Sequence, residues 1–241
     1  MTPKIFEPLA FLRFAMSTRQ GGVSAEPYGM NLSYHVGDDP QAVRENRRLF
    51  LASVGAGEGS LAQPKQCHSA RVMRADRWGP YESCDGLISN RRGLFLAVSV
   101  ADCLPIFLAD PVHKAIAAVH AGWRGTEAAI VTNAVRLMAR EFGTSGSDLV
   151  AYLGPSARSC CYEVGPEVAQ KFRDHVVERR EGRLYLDIVK ENVSQMVDVG
   201  VQERNIEVNP MCTITEKLLL HSYRRDSSRS GRMLGVIGIV S

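Results

Sequence analysis

The chain has 241 residues, 45% of them hydrophobic and 23% charged, with a formal net charge of +3. That is enough apolar material for one large core, and it lacks the Lys/Arg block of a nucleic-acid-binding tail. No run reaches the ~20 apolar residues of a membrane span. The start, Met1-Thr2-Pro3-Lys4-Ile5-Phe6-Glu7, lacks the basic-then-apolar layout of a secretion signal. With no such signal, six cysteines argue against a disulfide scaffold. A cytoplasmic protein is expected, with neither nucleic acid nor membrane as partner, as a monomer or homodimer.

The first periodic segment predicts a helix over 41–54, opened by Asp38-Asp39-Pro40 with acids at its positive end. Val43, Arg47, Phe50 and Val54 recur on one face, so Arg47 lies on the apolar stripe while Arg48 points elsewhere. An inward guanidinium needs a partner or an anionic ligand. Residues 94–100, 105–108 and 115–119 read as strands. They are near-continuous apolar runs, which calls for cover on both sheet faces.

A second helix is predicted over 125–142, with Ile130, Ala134, Leu137, Met138 and Phe142 on one face and Gly143 as its stop. A strand over 149–153 runs into Gly154-Pro155. Helices over 166–175 and 186–199 and a last strand over 233–240 complete the pattern. Interleaved helices and strands give an α/β or α+β class with a covered sheet, read as a single domain spanning 1–241.

Three residues carry the chemistry. His68 sits in Gln66-Cys67-His68-Ser69-Ala70, Cys103 in Ala101-Asp102-Cys103-Leu104-Pro105, and His120 in Val119-His120-Ala121-Gly122-Trp123-Arg124-Gly125. Two imidazoles and a thiolate suit a zinc ion with an open fourth position, the catalytic pattern. Their separations of 35 and 17 residues exclude a finger-type knuckle, so only a folded scaffold could unite them. Taken singly, each such residue is more often structural than a ligand. The turn after His120 launches a helix whose first N–H groups could face an anion.

Cys160-Cys161 reads as a loop packing against the site rather than as a second metal centre. Cys67 points away from His68 if that segment is extended. Cys84 and Cys212 have no metal-type spacing and read as small apolar residues. Trp123 fits purine stacking and core packing equally well.

Several longer motifs occur in order: Thr18-Arg19-x-Gly21-Gly22-Val23-Ser24, Asn31-Leu32, Asn46-Arg47, Gln66-x-His68 and Asp85-Gly86-Leu87-Ile88. The Cys103 and His120 segments follow, then Gly154-Pro155, Cys160-Cys161-Tyr162-Glu163-Val164-Gly165 and Ser222-Tyr223-Arg224-Arg225-Asp226. Together, from about Phe14 to about Met233, they resemble the laccase-domain family, also called the polyphenol oxidase or YfiH-type family. The resemblance implies a single-domain, three-layer α/β/α sandwich with a mixed sheet, and a metal, usually zinc, on His68, Cys103 and His120. It implies phosphorolysis of adenosine, inosine and methylthioadenosine, with adenosine deamination. It also brings two rival readings, a copper-dependent polyphenol oxidase and an editing hydrolase for peptidoglycan precursors.

A four-copper oxidase needs more imidazoles than the six in this chain, and no His-x-His pair exists. Copper could still bind such a site in vitro, since it outcompetes zinc. On zinc, water would have its pKa lowered towards ~7, suited to attack at C6 of adenosine if a carboxylate shuttles protons. Asp85 and Asp102 are nearest by motif, and either could instead orient a ligand or cap a turn, the reading preferred for Asp102. Phosphorolysis needs a bound phosphate, for which arginine is suited. Arg47 is the first candidate, Arg225 the second, and Arg19 and Arg124 the third, each with a structural ion pair as its competing role.

Overall fold

Alternation of side chains decides what each strand of this computed structural model, which describes residues 1–240, can cover. In β1 (Leu12–Met16) the outer positions are partly exposed. In β7 (Leu104–Asp110), β8 (Ala115–Ala121) and β14 (Met233–Ile239) every residue is buried, as near-continuous apolar runs predict.

Two mixed sheets result. The first runs β1–β14–β6 (Phe95–Val100)–β2 (Leu61–Pro64)–β4 (Gly79–Tyr81). Its β1–β14–β6 part is antiparallel, and its β6–β2–β4 part parallel. The second runs β13 (Ile206–Val208)–β9 (Val150–Leu153)–β7–β8–β5 (Gly86–Ser89)–β3 (Val72–Arg74). Here the centre is antiparallel and both edges are parallel. A small antiparallel sheet, β10 (Glu163–Val164)–β12 (Arg183–Leu186)–β11 (Val177–Arg180), stands apart.

The two large sheets pack face to face through Phe14, Met16, Leu96 and Val98 on one side and Phe107, Ile116, Ala118 and Tyr152 on the other. Edge-to-face rings, Phe14 against Phe107 at 4.8 Å and against Tyr152 at 5.4 Å, close this layer. The outer face of the first sheet packs under helix α1 (Pro40–Ala52) through Phe50, Leu51, Phe95, Ala97, Leu234 and Val236. The outer face of the second is covered by α3 (Ile130–Phe142) and α5 (Ile188–Asp198), where Ile106, Leu108, Ala117 and Val119 meet Ala134, Met138, Ile188 and Met196.

The expected mixed α/β class is therefore found, with its sheet layer doubled: helix, sheet, sheet, helices. A strand that is apolar on both faces is satisfied equally by a helix or by a second sheet, so its sequence does not distinguish three layers from four. Helix α1 lies as predicted, its first turn capped by Asp39, which accepts from the Gln41 N–H.

The helix predicted over 125–142 is instead two, a short α2 (Trp123–Glu127) and α3, broken at Ala129 with φ of 54°. No Gly or Pro announces that break. Gly143 ends α3 in the left-handed conformation, as expected. The helix over 166–175 shrinks to α4 (Pro166–Ala169) and a separate turn at Asp174–Val176. Among the described residues no helix is long and apolar enough to cross a membrane.

Candidate metal centre and its surroundings

Pairing of β5 with β8 aligns Gly86 with Val119 and so brings the preceding residue, Asp85, beside His120. The Asp85 carbonyl accepts from the His120 N–H at 2.7 Å. Its carboxylate, fully buried, does more. Oδ2 accepts from His120 Nδ1 at 2.8 Å and from the His68 N–H at 3.0 Å. Oδ1 accepts from the N–H groups of Cys67 at 3.1 Å and Ser69 at 2.7 Å, and from Ser69 Oγ at 2.8 Å. One carboxylate thus holds both the 67–69 loop and the His120 ring. With Nδ1–H donated to Asp85, Nε2 is the His120 atom directed at the cluster, free to bind a metal once its own proton leaves.

Cys103 lies in the tight connection from β6 to β7, after Asp102, whose φ is 88°. That strained position is held from three sides. Asp102 accepts from Thr213 Oγ1 and from the Arg224 N–H, both at 2.6 Å, and its carbonyl accepts from the Ala157 N–H at 2.8 Å. His68 is also left-handed, with φ of 61°.

Cys103 Sγ and His68 Nε2 are 3.8 Å apart, and the two imidazole rings meet nearly at right angles with centroids at 5.0 Å. One ligand atom from each of His68, Cys103 and His120 falls within 4.8 Å of the others. Zinc with S at 2.3 Å and N near 2.05 Å would set tetrahedral S and N donors about 3.6 Å apart. The donor set and spacing fit a single ion. His120 is buried, Cys103 half-buried and His68 exposed, so the centre opens to solvent on the His68 side.

Gly122 explains the glycine after His120-Ala121. A Cβ there would stand 3.0 Å from His68 Cδ2 and 3.2 Å from Cys103 Sγ, inside the ligand cluster.

Charges in the trio are mutually stabilised. Burial opposes ionisation of the Cys103 thiol, yet His120 and His68 draw its pKa down to about 6. Burial also opposes a charged His120, but Cys103 and the Asp85 carboxylate push it up to about 9. Asp85, against the cost of burial, is held well below the usual carboxylate range by His120 and Ser69.

The structure brings His68, Cys103, His120 and Asp85 together. The arginines separate into two groups. Arg47 is buried, paired through Nε and Nη2 with Glu58, and donates to the Leu32 carbonyl at 2.9 Å and to Gln63 Oε1 at 3.3 Å. Arg225 makes a bidentate pair with Asp226 and donates to the carbonyls of Thr213, Ile214 and Leu220. Arg19 donates to the carbonyls of Lys217 and Pro27 and pairs with Glu26. These three guanidiniums are engaged with the protein itself and none contacts the trio.

Arg124 differs. It is exposed, lies 4.4 Å over the Trp123 ring, and has no carboxylate partner among the described residues. Sequence reasoning missed its counterpart, Arg224, whose guanidinium lies 5.3 Å from the Tyr162 ring centroid and likewise lacks a carboxylate. Burial and the nearby charges of Cys103 and Asp102 push the Tyr162 phenol up to about 12, with Arg224 and Arg124 pulling the other way. The Tyr162 and Arg224 motifs stand in the sequence, but helical phase and adjacent acids singled out Arg47 and Arg225 instead.

A family model described as multi-copper polyphenol oxidoreductase laccase matches residues 13–240. The chain belongs to this laccase family. A protein of Deinococcus radiodurans named purine nucleoside phosphorylase is 37% identical over 243 residues, covering 98% of this chain and 93% of the relative. A purine nucleoside phosphorylase of Streptomyces coelicolor is 40% identical, covering 93% and 94%. The crystal structure of YlmD from Geobacillus stearothermophilus superposes with a TM-score of 0.92 at 30% identity, covering 98% of this chain and 94% of that one.

In this laccase-family chain the other histidines stand outside the centre. His35 and His175 are exposed, His113 pairs with Asp110 at 2.9 Å, and His221 is fully buried with neither ring nitrogen bonded. Burial, with Arg19 and Arg232 nearby, lowers His221 to about 3 and keeps it neutral. One expectation about cysteines changes: Cys212, read as a small apolar residue, lies with Cys160 and Cys161 in a second group of potential ligands.

Proposed function

We propose that the chain is a zinc-dependent purine nucleoside phosphorylase, working as one domain on adenosine, inosine and methylthioadenosine, with adenosine deamination as a side activity. The observation that carries this reading is an open two-His, one-Cys cluster flanked by two guanidiniums free of carboxylates: Arg124, in the turn that follows His120, and Arg224, whose backbone N–H donates to Asp102 next to Cys103. Relatives named purine nucleoside phosphorylase over nearly the whole chain support it.

His68, Cys103 and His120 would hold the zinc. Bound there, zinc would supply Lewis acidity and lower the pKa of water towards ~7. Asp85 acts as a positioning residue, because its two oxygens already receive five N–H and O–H donors and neither is left to shuttle a proton. Arg124 and Arg224 would bind phosphate, whose oxygen forms the new bond to C1′ as the bond from C1′ to the purine nitrogen breaks. Tyr162, its phenol pushed up to about 12, stays protonated near neutral pH and would be available as a hydrogen-bond donor to a bound substrate.

The test is release of free base from adenosine, inosine and methylthioadenosine by metal-quantified wild type, His68→Ala and Arg124→Ala. The expected result is turnover that needs both phosphate and stoichiometric zinc, is lost in His68→Ala, and shows a raised phosphate KM in Arg124→Ala. No turnover by fully zinc-loaded protein overturns the reading.

A further inference from the structure

Adjacent cysteines in an extended segment point to opposite faces. Cys160 and Cys161 do not. They sit in a tight turn in which the N–H groups of Cys161 and Tyr162 both bond to the Arg158 carbonyl, at 2.9 and 2.8 Å. The turn swings both sulfurs to one side, 3.4 Å apart. A third sulfur arrives from a segment 51 residues further on. Ser156 and Cys212 form a parallel bridge, and the Thr213 N–H donates to the Ser156 carbonyl at 3.0 Å, so Cys212 is pinned against the start of the turn. The three sulfurs lie within 4.8 Å of one another, and all three thiols are free.

We propose that Cys160, Cys161 and Cys212 form a second metal site, separate from the His68 centre, that takes one copper(I) ion. A metal–sulfur bond of ~2.3 Å in a trigonal arrangement places sulfurs about 4.0 Å apart, within the observed spread. The donors are all soft, and among the described residues no nitrogen or oxygen ligand joins the group. Zinc closes structural sites with four ligands, whereas three thiolates satisfy a trigonal copper(I) ion. Exposed Cys160 is the entry point and buried Cys212 the anchor.

The surroundings prepare that anchor. Burial opposes ionisation of Cys212, but the backbone amides of Arg158, Thr215 and Ile214 are aimed at its sulfur and lower its pKa. The guanidiniums of Arg158 and Arg180 donate to the Asn209 and Ser159 carbonyls, tying down the two segments that carry the cysteines.

The experiment titrates the zinc-loaded full-length chain, under nitrogen, against the coloured copper(I)–bicinchoninate complex, and records X-ray absorption of the product. Wild type should withdraw one equivalent of copper into sulfur-only coordination. Cys160→Ser and Cys212→Ser should lose at least 100-fold in affinity, while Cys103→Ser still withdraws that equivalent. Cys160 is exposed, so its variant keeps the test valid if Cys212→Ser unfolds, and circular dichroism with Tm checks both. No withdrawal by wild type, full withdrawal by Cys160→Ser, loss in Cys103→Ser instead, or a second zinc that copper does not displace would each overturn the proposal.

Discussion

Asp85→Asn perturbs the centre without touching a ligand. Besides the Cys67 thiol at 3.5 Å, the two carboxylate oxygens divide five N–H and O–H donors between them: Cys67 N–H, Ser69 N–H and Ser69 Oγ on one, His68 N–H and His120 Nδ1 on the other. An asparagine offers one oxygen and one NH2, so in either orientation the NH2 meets donors. The cheaper orientation keeps the three-donor side and turns NH2 towards His120. That ring must then accept at Nδ1 and carry its proton on Nε2, the atom that would bind metal. Charge-assisted bonds to a buried carboxylate contribute about 1.5–3 kcal/mol each, and breaking such a buried network costs about 3–5 kcal/mol. Loss of a carboxylate behind a ligating histidine typically lowers metal affinity 10–100-fold. Urea melts of the apo variant at pH 7 and zinc competition against a chromogenic chelator measure the two effects. The pH dependence has a definite sign. Because the folded carboxyl is held below its ordinary value of 3.8, its stabilisation is complete above that value and is lost as pH falls towards the folded pKa. The gap between wild type and Asp85→Asn should therefore narrow below about pH 4. Wild-type stability together with wild-type zinc affinity in the variant would refute the positioning role.

Zinc binding should release about one proton at pH 7, because the Cys103 thiol at about 6 is already ionised while His120, pushed up to about 9, is still charged. Affinity then falls about tenfold for each pH unit from 9 down to 6; calorimetry in buffers of different ionisation enthalpy reads the proton count, and none released would contradict this. Gly122→Ala, with its Cβ 3.0 Å from His68 and 3.2 Å from Cys103, should lower zinc affinity at least tenfold while shifting Tm little, as zinc competition and a thermal melt will show. Arg124→Ala and Arg224→Ala should each raise the phosphate KM by about 10-fold or more, as expected for a lost charged hydrogen bond, at unchanged zinc content. Arg47→Ala should instead cost about 2–3 kcal/mol of stability through lost bonds to Glu58 and the Leu32 carbonyl, with KM per folded molecule unchanged in the base-release assay.

How much of this was legible in the sequence depended on whether a signal was local. Helix α1 and strands β6, β7, β8 and β14 announce themselves by periodicity or by unbroken apolar runs. Strands β2 to β5 do not, because they are three or four residues long and gain their definition only from neighbours in the sheet. The break at Ala129 has no local cause either. On the acidic side, the sequence leaves two roles open for Asp85, and only the fold shows that its carboxylate bonds the 67–69 loop as well as His120. For the arginines, residue type predicted a need for a partner but not which partner. Arg47 and Arg225 find theirs inside the protein, whereas Arg124 and Arg224 are left with aromatic faces alone. The cysteine cluster was illegible for the same reason, since Cys212 meets Cys160 only through the bridge at Ser156.

The family's laccase description and the phosphorylase names of its relatives ask different things of the same protein, and the ligands discriminate between them. Multi-copper oxidation requires several coppers close enough to pass electrons, each held largely by imidazoles. Here only two of the six histidines reach the centre. Of the rest, two are exposed, His113 is tied to Asp110, and His221 is enclosed where no ion could enter without displacing the core. The second cluster adds sulfur but no imidazole. Such a chain can hold one ion at His68, Cys103 and His120, plus one soft ion in an all-thiolate pocket. Neither arrangement assembles the coupled copper cluster that four-electron reduction of oxygen would need. A single open centre beside two free guanidiniums suits group transfer to phosphate, in which no electron leaves the substrate. Oxidase activity in copper-loaded preparations should therefore scale with added copper and disappear once a chelator strips the copper and zinc is put in its place, while phosphorolysis should do the reverse. Oxidation that survives complete zinc replacement would refute this assignment of the chemistry.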